Sequence, residues 1–185
     1  DRFVYDPRDP VPTLGGNILL PMNYTKGPVD QQFLEEREDI LIYRTQPLEK
    51  DVEVTGPITV RLYAASSARD TDFTAKLIDV YPDGKTYNLA DGIIRARYRN
   101  GSETQALIQP EEIYEYNIDL WATSNLFKAG HRIGVEISSS NFPRFDRNTN
   151  TGKLGRDSSD MAVAKQTVYH DGRYPSHIVL PVIPR

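Results

Sequence analysis

The stretch that decides the fold is Ile113-Tyr114-Glu115-Tyr116-Asn117-Ile118-Asp119-Leu120-Trp121-Ala122-Thr123. Apolar or aromatic side chains occupy every second position from Tyr114 to Ala122, and the polar residues Glu115, Asn117 and Asp119 lie between them. A period of two is typical of a β-strand with one face packed and the other in water. The stretch therefore predicts a half-buried strand, with Trp121 on the solvent-facing side.

Similar runs recur along the whole chain and are separated by Gly, Pro, Asn and Asp. They predict ten strands, at residues 39–45, 52–55, 58–65, 73–81, 86–89, 92–99, 113–123, 132–139, 164–169 and 177–182. Helical periodicity is almost absent, and the single predicted helix covers residues 31–37, with Asp30 as its N-cap. Because several strands each offer one apolar face to a shared core, we predict an all-β fold. We expect a β-sandwich of the jelly-roll, galactose-binding-like type, formed as a single domain by residues 1–185.

Two short motifs refine this prediction. Pro82-Asp83-Gly84-Lys85 lies between two strand-like runs and predicts a tight hairpin turn, since Pro presets φ and Gly accepts a positive φ. Gly56-Pro57 interrupts a second run, and the missing amide of Pro57 predicts a bend between sheets or an edge position there.

Composition narrows the classes of function. The chain has 185 residues, of which 38% are hydrophobic and 26% charged, with a net charge of −4 and no Cys. No run of basic residues indicates binding to nucleic acid or to an anionic membrane, so neither partner is expected. The lack of Cys excludes thiol nucleophiles, disulfides and thiolate zinc sites. No stretch of 18 apolar residues is present, and residues 1–7 do not resemble a signal peptide, so the chain reads as one cut from a longer protein.

Residues for catalysis are not evident in the pattern. No Gly-x-Ser-x-Gly nucleophile elbow occurs. His131 opens a predicted strand, and His170 and His177 flank a predicted turn, positions more typical of surface or strand-end histidines than of a catalytic base or a zinc ligand. We therefore predict no catalytic residue, no metal site and no cofactor within the chain.

Residues 146–157 have two interpretations, of which the first is a calcium-binding loop. Asp146, Asn148 and Asn150 alternate as calcium ligands do, and Asp157 occupies the twelfth position. However, Thr151 stands where such a loop needs Gly. The competing interpretation is a polar surface loop whose Asx side chains hydrogen-bond to their own backbone.

Two clusters of arginine have uncommon surroundings. Arg95, Arg97 and Arg99 share one face of a predicted strand by the two-residue period and form a basic stripe, interpreted as a solvated or ion-paired face. Phe142-Pro143-Arg144-Phe145-Asp146-Arg147 places two Phe and two Arg in one Pro-containing loop. Such a loop is typical of a contact with a partner, although both Phe could equally cap the end of the core.

These motifs occur together in a known family. The chain resembles the C-terminal domain of the CocE/NonD serine hydrolases, also described as the X-Pro dipeptidyl-peptidase C-terminal domain. The strings that carry the resemblance run nearly end to end and include Asp6-Pro7, Gly15-Gly16, Gly27-Pro28-Val29-Asp30-Gln31, Val54-Thr55-Gly56-Pro57, Asp70-Thr71-Asp72-Phe73, Pro82-Asp83-Gly84-Lys85, Asp119-Leu120-Trp121-Ala122-Thr123-Ser124 and Ser140-Asn141-Phe142-Pro143-Arg144-Phe145-Asp146-Arg147-Asn148.

The resemblance implies a larger enzyme. Members of the family combine an α/β-hydrolase domain bearing a Ser-Asp-His triad, a helical cap and a C-terminal jelly-roll, and only the last is present here. The whole enzyme would cleave acyl esters or amides, or X-Pro peptides, and its triad would lie upstream of Asp1. The partners that the resemblance implies are the α/β-hydrolase and cap domains of the parent enzyme. Without them, the face that contacts these domains would be an exposed apolar patch, so we also expect self-association into a homo-oligomer.

The resemblance also leads to a hypothesis about which residues contact the other domains of the enzyme. We expect Asp72 and Phe73, together with Phe142, Arg144, Phe145 and Arg147 of the loop, to lie on the face that meets the catalytic and cap domains and to help form the rim of the substrate pocket. An interface of this kind needs aromatic anchors and arginines that pair carboxylates.

A second function, from the class of binding modules, is a free-standing carbohydrate-binding sandwich. Trp121 and Tyr98 are its candidate stacking residues, since sugars bind on exposed aromatic rings.

Overall fold

The structure, a computed structural model, describes residues 1–19, 23–153 and 160–184. Within these ranges the chain forms ten β-strands and two short 3-10 helices. The strands are β1 (Arg2–Tyr5), β2 (Leu41–Arg44), β3 (Val52–Ser66), β4 (Asp72–Val80), β5 (Thr86–Arg95), β6 (Tyr114–Phe127), β7 (Arg132–Ser138), β8 (Ala164–Tyr169), β9 (His177–Val179) and β10 (Val182–Ile183). The 3-10 helices are Gln32–Glu36 and Ala96–Tyr98.

The strands form two antiparallel sheets. In the six-stranded sheet, β6 pairs with one side of the long strand β3, and β10, β9 and β8 pair with successive parts of its other side. Strand β1 pairs with β8. The four-stranded sheet has the order β2-β7-β4-β5. The predicted all-β sandwich is thus confirmed, while the jelly-roll subtype stays a prediction.

The core lies between the sheets, and the alternation of the sequence decides which side chains enter it. Phe73 of β4 and Tyr116 of β6 are both fully buried, and their ring centroids are 4.8 Å apart. Tyr116, Ile118 and Leu120 point inward, as the period of two predicts, whereas Glu115, Asn117 and Asp119 are exposed. The interpretation as a half-buried strand is confirmed for Tyr114 to Leu120. It is wrong for Ala122, which is exposed, because the alternation breaks where Trp121 has a φ of 65° opposite the bulge in the partner strand β3.

The two sheets come into close contact where β5 meets β6. A Cβ atom on Gly92 of β5 would lie 2.0 Å from the carbonyl oxygen of Asp119 on β6, so only glycine permits this contact. We refer to this edge, formed by β5 and β6, as the closed edge. The opposite side of the sandwich, where β2 and β7 face β8 and β9, is the open edge.

The outer face of the four-stranded sheet is also covered. Val11, Leu34 and Ile40 form a second apolar cluster outside the main core. Gln31 of the same N-terminal stretch accepts a hydrogen bond from Nζ of Lys76 on β4 at 2.7 Å. We call the described part of residues 11–40 the cover segment. Because the cover segment packs on the outer face of β4, this strand is buried on both faces although its alternate residues are polar.

Several predicted boundaries were wrong. Residues 52–65 form one strand because a bulge, marked by a register shift at Pro57 and a φ of 138° at Gly56, absorbs the missing amide without ending β3. Residues 86–95 are likewise one strand, and the predicted last strand is divided into β9 and β10. Strand β1 was not predicted, since four residues give too short a pattern.

The predicted helix is a 3-10 helix of five residues. Asp30 does not act as its N-cap, although its carboxylate accepts hydrogen bonds from the amides of Gln32 and Thr86, at 3.1 Å each. The hairpin turn at Pro82–Lys85 is confirmed, because the amide of Tyr81 donates to the carbonyl of Lys85 at 2.8 Å. None of the helices in the described ranges is long and apolar enough to cross a membrane.

Candidate functional site

The loop after β7, residues 139–150, is held by a buried network of charged and polar groups. Arg95 donates two hydrogen bonds to the carboxylate of Asp72, at 2.8 and 3.0 Å. Arg97 donates from Nε to Asp70 at 2.9 Å. The amide of Asn148 donates to both Asp70 and Asp72, at 2.8 Å each. Asp70, in the loop before β4, and Asp72, the first residue of β4, therefore fix the C-terminal end of residues 139–150, which we call the arginine-rich loop.

The charged groups of this network stabilise the loop and are not placed to react with a substrate. Burial raises the pKa of Asp72, and the hydrogen bonds from Arg95 and Asn148 oppose that rise. Both carboxylate oxygens of Asp72 accept hydrogen bonds. Groups that are saturated in this way position a loop and do not act as a free base.

The network also corrects the interpretation of the arginine stripe. Strand β5 ends at Arg95, so Arg97 belongs to the second 3-10 helix and is 4% exposed. Arg99 donates to the carbonyls of Ala96 and Ala106. The three arginines therefore do not form one strand face, because the change from strand to 3-10 helix removes the period of two.

The near end of the loop is fixed to the cover segment. Arg144 forms an ion pair with Asp91 of β5, with Nη1 2.9 Å from Oδ1. The side chain of Asn141 donates to the other oxygen of Asp91 at 2.7 Å and accepts from the hydroxyl of Thr13 at 2.7 Å. The same Thr13 oxygen accepts a hydrogen bond from the amide of Arg144. Loop, strand and cover segment thus form one polar unit.

The aromatic side chains of the loop stack with its arginines. The guanidinium of Arg144 lies 5.1 Å from the ring centroid of Phe145, and that of Arg147 lies 5.6 Å from the ring of Phe142. Phe142 is 38% exposed. These four candidate residues of the loop are therefore near one another, and at least one aromatic ring is accessible at the surface.

The two candidate residues at the start of β4 are in a different position. Phe73 is fully buried in the main core, and Asp72 is 1% exposed beneath Arg95. The expectation that Phe73 contacts another domain does not fit its position, since the alternation of β4 turns its ring inward. Asp72 supports the loop from below and does not itself present a surface.

An exposed apolar area adjoins Arg144. Trp121, 68% exposed on the outer side of β6, lines a small cleft together with Leu89, Asn17 and Arg144. Asn17 and Leu89 also line a neighbouring groove of about 410 Å³ that includes Ile18. We call the area formed by Asn17, Leu89, Trp121 and Arg144 the Trp121 surface.

Leu19 follows Ile18 directly in the chain and is fully exposed, at 101%. Sequence reasoning found neither Leu19 nor Leu89. The available signal was an apolar pair, Ile18-Leu19, that follows Gly15-Gly16 and belongs to no predicted strand.

The three histidines have separate partners. Nδ1 of His131 lies 2.9 Å from Asp79, Nε2 of His170 lies 2.9 Å from Asp1, and Nδ1 of His177 donates to the carbonyl of Pro175. Burial raises the pKa of Asp79, and His131 opposes the rise. Among the described residues, no serine hydroxyl is hydrogen-bonded to any of these rings.

The predicted calcium loop is used for other contacts. Asn148 and Asn150 are 5% and 3% exposed, and Oδ1 of Asn148 accepts from the amide of Asn150 at 2.9 Å, which is the local Asx hydrogen bond of the competing interpretation. Both side chains are buried, so they do not form the expected surface loop. Asp157 lies outside the described residues. Within the described ranges, no group of three or more His, Asp or Glu side chains is placed to hold a metal ion.

Comparison with known proteins identifies the family. Residues 2–179 match the family described as the X-Pro dipeptidyl-peptidase C-terminal non-catalytic domain. The chain belongs to this family. The resemblance seen in the sequence motifs is thereby confirmed, and the family domain accounts for nearly all of the described residues.

Individual relatives agree with this assignment. The chain is 51% identical to a cocaine esterase of Rhodococcus sp. (strain MB1 Bresler), over 100% of this chain and 32% of that protein. The crystal structure of an aminopeptidase from a marine sediment Thaumarchaeota archaeon matches with a TM-score of 0.90 and 32% identity, over 100% of this chain and 33% of the other. An α-amino acid ester hydrolase matches with a TM-score of 0.88 and 30% identity, over 99% and 32%. The chain spans about a third of the length of each of these relatives.

Proposed function

We propose that this chain is the accessory β-sandwich domain of a longer serine hydrolase that cleaves acyl esters or amides, or X-Pro peptides. In that enzyme the domain packs on the catalytic and cap domains and helps to shape the substrate pocket. The observation that carries the proposal is the family match over residues 2–179, combined with relatives three times as long that are named esterase, ester hydrolase and aminopeptidase.

The Trp121 surface supports a contact with the rest of such an enzyme. Exposed large apolar residues that adjoin an arginine are characteristic of protein interfaces, where aromatic and Arg side chains are enriched. Trp121 is 68% exposed, so its ring loses most of its hydration when a second domain covers it. Phe142, Arg144, Phe145 and Arg147 extend the proposed contact along the loop.

The first test concerns the reaction. We expect the 185-residue chain to hydrolyse p-nitrophenyl esters no faster than buffer, and the longer protein that contains it to hydrolyse them at a rate abolished by a serine-directed inhibitor. The reading frame upstream of residue 1 should encode a Gly-x-Ser-x-Gly elbow followed by Asp and His. Hydrolysis by the isolated chain that is sensitive to the inhibitor contradicts the proposal.

The second test concerns the surface. Trp121 is the only Trp, so the fluorescence of the isolated chain reports on this residue alone and should show the emission of an exposed indole. In the longer protein, Trp121→Ser should weaken the association of the domains and reduce ester hydrolysis, while the isolated chain keeps its Tm. Asn117→Ser, on the same exposed face of β6, is the matched control and should change neither. Equal effects of the two variants contradict the proposed contact.

Self-association is a subsidiary part of the proposal. An isolated domain that exposes the Trp121 surface can cover it with a second copy. Gel filtration of the 185-residue chain should then show a concentration-dependent dimer that Trp121→Ser weakens, whereas a monomer at all concentrations contradicts it. The comparisons give the carbohydrate-binding alternative no support.

A further inference from the structure

A cavity of about 440 Å³ opens between the two sheets at the open edge. Leu62, Val168 and Ile178 of the six-stranded sheet form one wall, and Val135 and Ile137 of the four-stranded sheet form the other. Leu62, Val168 and Ile137 are only 1–2% exposed, so they form the closed floor of the cavity. Tyr43, Val135 and Ile178 are partly exposed and line its accessible part, at the mouth between the two sheets.

The size and lining of this cavity are those of a binding site. Pockets for small molecules are commonly about 300–1,000 Å³, mostly apolar, with a few polar groups at defined positions. A dry apolar cavity of about 150 Å³ already accommodates benzene. The cavity at the open edge is larger, so it has room for a ring and a short chain.

The polar groups at its rim are two imidazoles, and their hydrogen bonds define what they can offer. Nδ1 of His177 donates to the carbonyl of Pro175 at 2.6 Å, because a carbonyl oxygen only accepts. Nε2 of His170 donates to the carboxylate of Asp1 at 2.9 Å for the same reason. In a neutral imidazole the remaining nitrogen is an acceptor. Among the residues that the structure describes, nothing hydrogen-bonds to that remaining nitrogen of either ring.

The other polar side chains at the rim are already engaged. The hydroxyl of Tyr43 donates to Asp1 at 2.8 Å. The hydroxyl of Ser176 donates to the carbonyl of Tyr169 and accepts from the amide of Tyr63. The rim therefore presents unused acceptors at the two imidazoles and, in the described residues, no unused hydroxyl donor.

We propose that this cavity binds a small molecule with an apolar ring or branched body and a hydrogen-bond-donating end, such as an alcohol. The apolar body contacts Tyr43, Val135 and Ile178 above the floor of the cavity, and the hydroxyl donates to His177 or His170 at the rim. This site lies at the edge opposite β5 and β6 and does not depend on the proposed role of the Trp121 surface.

The test uses 2-phenylethanol as the probe, added to the isotope-labelled 185-residue chain at pH 8 and followed by NMR. We expect chemical-shift changes at the cavity-lining residues and NOEs between the phenyl ring and the methyl groups of Val135 and Ile178. The methyl ether of the probe lacks the donor and should bind roughly two- to tenfold more weakly, the effect of one hydrogen bond. Phenylacetate, which offers only acceptors, should also bind more weakly.

Neighbouring residues of β9 provide matched variants. Ile178 faces the cavity, whereas Val179 is 54% exposed. Ile178→Trp should fill the cavity and abolish the shifts caused by 2-phenylethanol, and Val179→Trp should leave them unchanged. If Ile178→Trp fails to fold by circular dichroism, the NOEs in the unchanged chain decide the question. Absence of NOEs to Val135 and Ile178, or binding that is equal for the alcohol and its ether, overturns the proposal.

Discussion

Strands β4 and β6 both alternate apolar and polar side chains, but all nine residues of β4 are buried, whereas the polar residues Glu115, Asn117 and Asp119 of β6 lie in water. The difference arises because the cover segment and the arginine-rich loop pack on the outer face of the four-stranded sheet. The polar side chains of β4 must therefore find partners inside the protein. Lys76 does so with Glu136 at 3.1 Å and with Gln31 at 2.7 Å.

The comparison shows how the same pattern serves two purposes. On β6 the polar face keeps the sheet in water and leaves Trp121 accessible. On β4 the polar face binds the segments that carry the candidate contact residues of the loop. Buried ion pairs of this kind do not add much net stability, since desolvation offsets their attraction, but they strongly penalise the loss of one partner.

The largest effect is expected on β4. Lys76→Met should lower the free energy of unfolding by about 3–5 kcal/mol, because Glu136, 4% exposed, is then a buried charge without its partner. The measurement is urea denaturation at pH 7. The double variant Lys76→Met/Glu136→Met should recover most of the loss, since it removes both charges. A loss below about 1 kcal/mol in the single variant would mean that the outer face of β4 behaves like that of β6.

The next effect concerns the closed edge, where β5 crosses β6. Gly92→Ala places a methyl group against the backbone carbonyl of Asp119 and should cost about 1–3 kcal/mol through overpacking. Gly172 has no atom within 4 Å of its hypothetical Cβ, so Gly172→Ala is the matched control and should stay within about 0.5 kcal/mol. Similar unfolding curves for the two variants would contradict the close approach of the two strands.

A smaller change in the free energy of unfolding is expected when the buried tyrosines are replaced, and it differs between the two. The Tyr5 hydroxyl donates to the carbonyl of Asn148 at 3.1 Å, whereas that of Tyr116 on β6 has no hydrogen-bond partner among the described residues. Tyr5→Phe should therefore cost about 0.5–1.5 kcal/mol at pH 7, and Tyr116→Phe almost nothing. Equal losses would contradict this difference between the two hydroxyls.

The same pair has a predictable pH dependence. Burial, with the charge of Asp72 adding to it, raises the pKa of Tyr5, and burial raises that of Tyr116, both above the ordinary value of 10.0. The folded state then keeps protons that the unfolded chain releases, so stability falls as the pH rises above 10.0. Urea unfolding at pH 7 and pH 11 should show a smaller decline in either Phe variant than in the unchanged chain.

The smallest effect is expected on the exposed face of β6. Glu115 accepts a hydrogen bond from the hydroxyl of Tyr63 at 2.7 Å and lies 3.3 Å from Arg61, with both charged side chains well exposed. Glu115→Gln should change the free energy of unfolding by no more than about 1 kcal/mol, because solvent screens surface ion pairs. A loss comparable with that of Lys76→Met would remove the distinction between the two strands.

The alternation of residues was sufficient to predict the all-β class and the inward side of β6, since a strand that packs on one face needs a period of two. It also predicted the hairpin at Pro82–Lys85. It did not predict that β3 continues through Gly56-Pro57, because a bulge depends on the partner strand. The sequence predicts Phe73 at a contact surface because an aromatic ring beside a carboxylate suits an interface, and only the register of β4 shows that the ring turns inward.

The sequence by itself determined that this chain forms strands with apolar faces, belongs to a recognisable family of domains and carries an uncommon loop of Phe and Arg. Tertiary structure alone decided which polar faces are buried, that Leu89 and Trp121 line a cleft with Arg144, and that the open edge contains a cavity. The physical reason is the distance along the sequence over which each interaction acts. Periodicity and turn residues act between neighbours in the sequence, whereas the burial of Lys76 depends on Gln31 and Glu136, which only folding brings together.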